Sequence, residues 1–105
     1  MSSRVRFGPE AVAELHEAAR WYEQRRAGIG LAFLAAVEEV VDGIGRWPES
    51  GSPVPESKRL GIRRTRLARF PYHVVHLVSE DEIRVLAIAH DRRRPGYWVQ
   101  RIGEE

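Results

Sequence analysis

The sequence predicts an α+β domain with its elements in the order βααβββ, and three observations predict it. Apolar residues recur twice at helical spacing in the first half. A loop rich in proline and glycine follows. The second half then holds three runs of β-branched and aromatic residues divided by short turns. A helical hairpin packed on one face of an antiparallel sheet, with a short C-terminal segment after the last strand, satisfies all three. At 105 residues the chain has room for a single domain, 1–105.

Each element has its own signal. Arg4-Val5-Arg6-Phe7 alternates and ends at Gly8-Pro9, a short strand leading into a helix start. Pro9 suits the first helical position and Glu10 the positive end of the helix dipole. Val12, Leu15, Ala19 and Tyr22 form one apolar stripe, so a helix runs to Arg26. Ala27-Gly28-Ile29-Gly30 breaks it. Phe33, Val37, Val40, Val41 and Ile44 define a second helix to about Gly45, and so short a glycine turn makes the pair antiparallel. The stretch RWPESGSPVPESKRLG is a loop, with Trp47 expected to anchor its start against the core. Strands follow at Ile62 to Arg69, Tyr72 to Ser79 and Ile83 to Ala89. The last two are apolar on both parities, which places them centrally, covered on both faces. By alternation Tyr72, Val74 and His76 face one way and His73, Val75 and Leu77 the other. Arg64 shares a face with Arg66, and Arg84, Leu86, Ile88 and His90 share another.

Composition narrows the function. No segment is long and apolar enough to span a membrane, the N-terminus lacks the pattern of a secretory signal, and there is no cysteine, so a cytoplasmic location is expected. Four histidines, at 16, 73, 76 and 90, show no HExxH-like spacing, and His73 and His76 point to opposite faces; no metal is expected. Nor is a cofactor, because Gly28-Ile29-Gly30 joins two helices and does not follow a strand. No helix is basic, which argues against a free-standing, groove-reading DNA binder. The net charge of +2 hides an asymmetry: residues 1–57 carry six arginines against nine carboxylates, and residues 58–101 eleven cations against four. Lys58 is the only lysine. Arginine forks suit phosphates and carboxylates, so a polyanion or acidic peptide is the implied partner.

Three stretches in this order resemble the RelE/ParE superfamily of bacterial type II toxin–antitoxin toxins. They are Ala19-Arg20-Trp21-Tyr22-Glu23 with Gly28-Ile29-Gly30 and Phe33; Arg69 to His76; and Ile83 to His90 with Arg93, Pro95, Tyr97 and Trp98. The FPY turn and PGYW ending resemble the ParE-like, plasmid-stabilisation branch. The resemblance implies a growth-inhibiting toxin neutralised by a cognate antitoxin, a small DNA-binding protein from an adjacent gene, in a hetero-oligomer. It further implies one of two activities, and whether the chain is an enzyme depends on which. One is inhibition of DNA gyrase without chemistry. The other is RelE-like, ribosome-dependent and metal-independent cleavage of messenger RNA. A chain that only binds its antitoxin is a third outcome.

The RelE-like reading needs proton carriers and cations on the phosphate. The resemblance places these at Arg64, Arg66, His73, His90 and Tyr97, with one of Arg92, Arg93 and Arg94 as the alternative to His90 for the terminal cation. Arginine holds a phosphate but shuttles protons poorly, whereas histidine is a residue type that can shuttle protons at neutral pH. The gyrase reading turns Arg63, Arg64, Arg66, Arg69, Arg92, Arg93, Arg94 and Trp98 into a surface for target and antitoxin, with the helical hairpin sharing the antitoxin contact. It also expects Pro95-Gly96 to fold Tyr97 and Trp98 back onto the domain.

Overall fold

A computed structural model of the protein describes residues 4–80 and 82–103. The elements are β1 (Arg4–Phe7), α1 (Pro9–Arg25), α2 (Ile29–Arg46), β2 (Ser52–Pro53), β3 (Ile62–Arg66), β4 (Tyr72–Val78) and β5 (Glu82–His90). Short 3-10 turns cover Pro55–Leu60 and Val99–Gly103. The α+β class and the element order are those expected, and the sheet runs β1-β5-β4-β3-β2. Two details differ from the expected antiparallel meander. β1 lies parallel to β5, because the chain returns to its first strand only through the helices and the other strands, so the sheet is mixed. The Pro/Gly-rich loop contributes a fifth strand, β2, whose Ser52 and Pro53 pair with Arg64 and Arg63. β3 also stops at Arg66, three residues early: the Leu67 N–H bonds to the Tyr72 carbonyl, and the chain turns so that Leu67 and Phe70 are buried.

The turn between the helices is built by one side chain. Gly28 takes a left-handed φ of 93°, and the Glu23 carboxylate accepts the N–H groups of Gly28 and Gly30, satisfying donors that the start of α2 would leave open. Gly30 leaves no room for a larger residue, since a Cβ there would sit 2.7 Å from the Ala19 carbonyl. These are the residues of the Trp-Tyr-Glu and Gly-Ile-Gly stretches.

The sheet has a core on each face. On the helix side Ala11, Ala18, Phe33, Val37 and Ile44 pack on Val74, Ile83, Val85 and Ile88. The opposite side buries Val54, Ile62, Val75, Leu86, Ala87 and Ala89 under Trp98. β4 and β5 are therefore covered on both faces, as their composition requires. Pairing shifts within this region: Val75 faces Ala87, but His76 faces Val85. Leu86 is the extra residue of a bulge, so Leu86 and Ala87 lie on one face together. Arg84, Leu86, Ile88 and His90 consequently do not share a face: Leu86 lies opposite the helices, and Ile88 and His90 lie beneath them.

Trp47 does not anchor the loop; it is 71% exposed. His76 does so in its place. Fully buried in β4, it donates its Nε2–H to the Pro48 carbonyl at 2.8 Å, which fixes its neutral tautomer and ties the end of α2 to the sheet. Burial holds the His76 imidazole below its ordinary value of 6.5; the Pro48 hydrogen bond opposes this, and Arg63 adds to it. The unfolded chain thus takes up this proton at higher pH than the folded one. Stability should fall as pH drops below about 6.5, by at most about 1.4 kcal/mol per pH unit. Urea midpoints measured between about pH 7.5 and 5.5 should show that slope in the wild type and a flatter one in His76→Leu. Equal slopes would refute the assignment.

Candidate functional site

The sheet face opposite the helices is only partly covered. Alternation along β3 and β4 puts Arg64, Arg66 and His73 on this face, where they line one cleft with Asp91, just past the end of β5. Asp91 organises the group. One carboxylate oxygen accepts from Arg66 at 2.8 Å and the other from His73 Nδ1–H at 2.9 Å. Burial pushes the Asp91 carboxyl up, but His73 and Arg66 together outweigh it and hold it below the ordinary carboxylate value. With Nδ1 engaged, Nε2 is the ring nitrogen His73 has free.

A second cleft adjoins the first, of about 210 Å³, sharing Arg64, His73 and Asp91 and bounded by the tail at Arg93, Arg94 and Tyr97. The tail folds back through a turn in which Arg94 O accepts from Tyr97 N–H and Gly96 takes a φ of 79°, the Pro-Gly signature of a type II turn. Arg93 lies 3.9 Å from the centre of the Tyr97 ring. Trp98 is only 3% exposed, so it holds the tail in place and presents little to a partner, contrary to its expected place among the contact residues.

The five residues of the cleavage reading do not form one constellation. Arg64, Arg66 and His73 meet. His90, last in β5, lies on the helix side, its ring 5.0 Å from that of Tyr72 and its Nδ1 accepting the Arg92 N–H. Tyr97 donates its hydroxyl proton to Glu14 at 2.7 Å; burial and that carboxylate both raise the phenol well above its ordinary range, so it is held protonated. The expected cationic surface also divides. Arg63 pairs with His76 across the strands, on the face away from Arg64 and Arg66, and donates to the Gly51 carbonyl. Arg69 sits in the β3–β4 turn, 5.7 Å from the Phe70 ring, and Arg92 is exposed beyond β5.

The hub of this region is Glu14, which the sequence reading passed over along with Asp91. β1 covers β5 only as far as Val85, leaving the next edge groups of β5 unpaired. Glu14 accepts the Ile88 N–H, and Arg101 donates to the Leu86 carbonyl. Arg101 also grips Glu14 with a two-pronged fork, 3.0 Å at each prong. One carboxylate thereby joins α1, the β5 edge and the tail. Among the described residues no cluster could hold a metal ion, and no helix is long and apolar enough to cross a membrane.

The family model described as the ParE toxin of the type II toxin–antitoxin system parDE matches residues 5–95. The chain belongs to the ParE toxin family. Its fold is also that of a chain from the chromosomal ParDE toxin–antitoxin system of P. aeruginosa, at TM-score 0.71 and 22% identity, over 85% of this chain and 96% of that one. Comparison with curated proteins finds no match. As a ParE-family chain the protein is a type II toxin, and its partner is an antitoxin. Within the superfamily, the ParE branch is the one that the FPY and PGYW stretches pointed to.

Proposed function

We propose that this ParE-family toxin inhibits DNA gyrase by binding, without chemistry of its own, in the cytoplasm, and that its antitoxin neutralises it in a hetero-oligomer. The observation that carries this reading is that two of the three proton carriers, His90 and Tyr97, are unavailable to the cleft. His90 lies on the helix side of the sheet and the Tyr97 proton is committed to Glu14, so neither reaches a phosphate held at Arg64 and Arg66. A binding surface needs only the cations. The antitoxin takes both the exposed apolar side chains of the hairpin, Trp21 and Leu31, and the basic clefts on the other face, so it wraps an edge of the sheet. Purified toxin at micromolar concentration should stop supercoiling by gyrase, and its induction without antitoxin should arrest growth. Undiminished supercoiling would sink the proposal.

RNA cleavage is a second reading, favoured by one observation: His73, oriented by Asp91, shares a cleft with two arginines. It predicts new 5′ ends in codon register on messenger RNA after induction, lost in His73→Gln. Arrest without such ends supports gyrase; unaffected growth leaves a chain that only binds its antitoxin.

A further inference from the structure

We infer that the two adjoining clefts bind the phosphodiester backbone of duplex DNA, so that the toxin engages gyrase's substrate as well as gyrase. The inference rests on the gyrase reading and deepens it. Four arginines, Arg64, Arg66, Arg93 and Arg94, and His73 line the clefts against one carboxylate, Asp91, among the described residues. That carboxylate is already shared by Arg66 and His73. The side chains of Arg64 and Arg94 have no hydrogen-bond or ion-pair partner within the described part of the chain, and the guanidinium of Arg93 lies on a ring, leaving its N–H donors open. Such a surplus of forked donors calls for an anion.

The walls say which anion. Val75, Ala89 and Trp98 form the floor of the second cleft and are almost wholly buried, so the feature its rim offers a ligand is the charge of its arginines. Among the described residues that line the clefts no ring is free for an unpaired base to stack on: Trp98 is buried, and Arg93 lies over Tyr97. Recognition by charge alone is the mode of backbone contact to a paired duplex, which requires no groove-reading helix. The absence of a basic helix argues against helix-in-groove readout and leaves phosphate binding open.

The test is fluorescence anisotropy of a 20-base-pair DNA duplex titrated with purified toxin, without gyrase. Three phosphates held by Arg64, Arg93 and Arg94 give a slope of log affinity against log salt of about −2.7, a loss of about sixfold for each doubling of salt. The Arg64→Ala/Arg94→Ala double variant should reduce the slope to about −0.9. Arg20→Ala, on the exposed side of α1, should leave it unchanged. A salt-independent affinity, no binding in low salt, a double variant matching Arg20→Ala, or preference for single-stranded RNA or an acidic peptide would each overturn the inference. Supercoiling inhibition is measured on the same preparations. Inhibition without DNA binding removes this inference alone; loss of inhibition in the wild type removes the gyrase reading.

Discussion

Glu14→Ala should lower stability by about 3 kcal/mol, which for a domain of this size moves the thermal midpoint down by more than about 10 °C. The effect is large because the carboxylate accepts four hydrogen bonds, from Ile88, Tyr97 and twice from Arg101, and stands largely out of water. The Glu14 and Arg101 side chains are 18% and 16% exposed. Removing the carboxylate leaves the Arg101 guanidinium in a low-dielectric site with its charge uncompensated, and strands the Ile88 N–H at the sheet edge. Tyr97 loses its acceptor in the same step. Glu14→Gln keeps one acceptor and the shape, so its loss should be smaller. The Ile88 amide provides a local readout, since its hydrogen exchange should accelerate in Glu14→Ala beyond what the global loss explains. If Glu14→Ala melts within about 2 °C of wild type, the joint between α1, β5 and the tail does not carry the load assigned to it.

Glu14 also shows where sequence reading stops. On α1 it is one charged residue among several, and its helical spacing says only that it lies off the apolar stripe. Its role depends on a length mismatch: β1 has four residues and β5 nine, so the far edge of β5 needs partners from elsewhere. Both strands were legible from alternation and composition, as were both helices and the face shared by Arg64 and Arg66, because periodicity records burial directly. Counting the two strand lengths against each other was the signal that could have exposed the gap. The bulge at Leu86 was not legible, because an all-apolar strand gives the same pattern with or without an inserted residue, and the insertion is what sends His90 to the helix side. Asp91 was masked differently. An acid before three arginines reads as part of a solvated charge run, and only the pairing of β4 with β5 brings it to His73 and Arg66.

Trp98→Ala should cost about 3–5 kcal/mol, and through stability it should also cost function. Trp98 is the lid of the second core: it covers Val75, Leu86, Ala87 and Ala89 in a region where neither helix reaches. Removing the indole leaves a cavity between the tail and the sheet that the Pro95-Gly96 turn, fixed by its own hydrogen bond, cannot collapse to fill. The tail then loosens from its apolar end while Arg101 still holds its other end to Glu14, and the positions of Arg93 and Arg94 relative to Arg64 are lost. Trp98→Phe keeps most of the buried area and should stay within about 1.5 kcal/mol of wild type with inhibition intact. Arg94→Ala, at an exposed position, should leave stability within about 0.5 kcal/mol while weakening inhibition. The comparison separates the two roles a residue can have on this face. A Trp98→Ala protein that keeps its full urea midpoint yet no longer inhibits would mean that the indole itself meets the target. A protein that loses both in proportion places Trp98 inside the fold, acting through the arginines it positions.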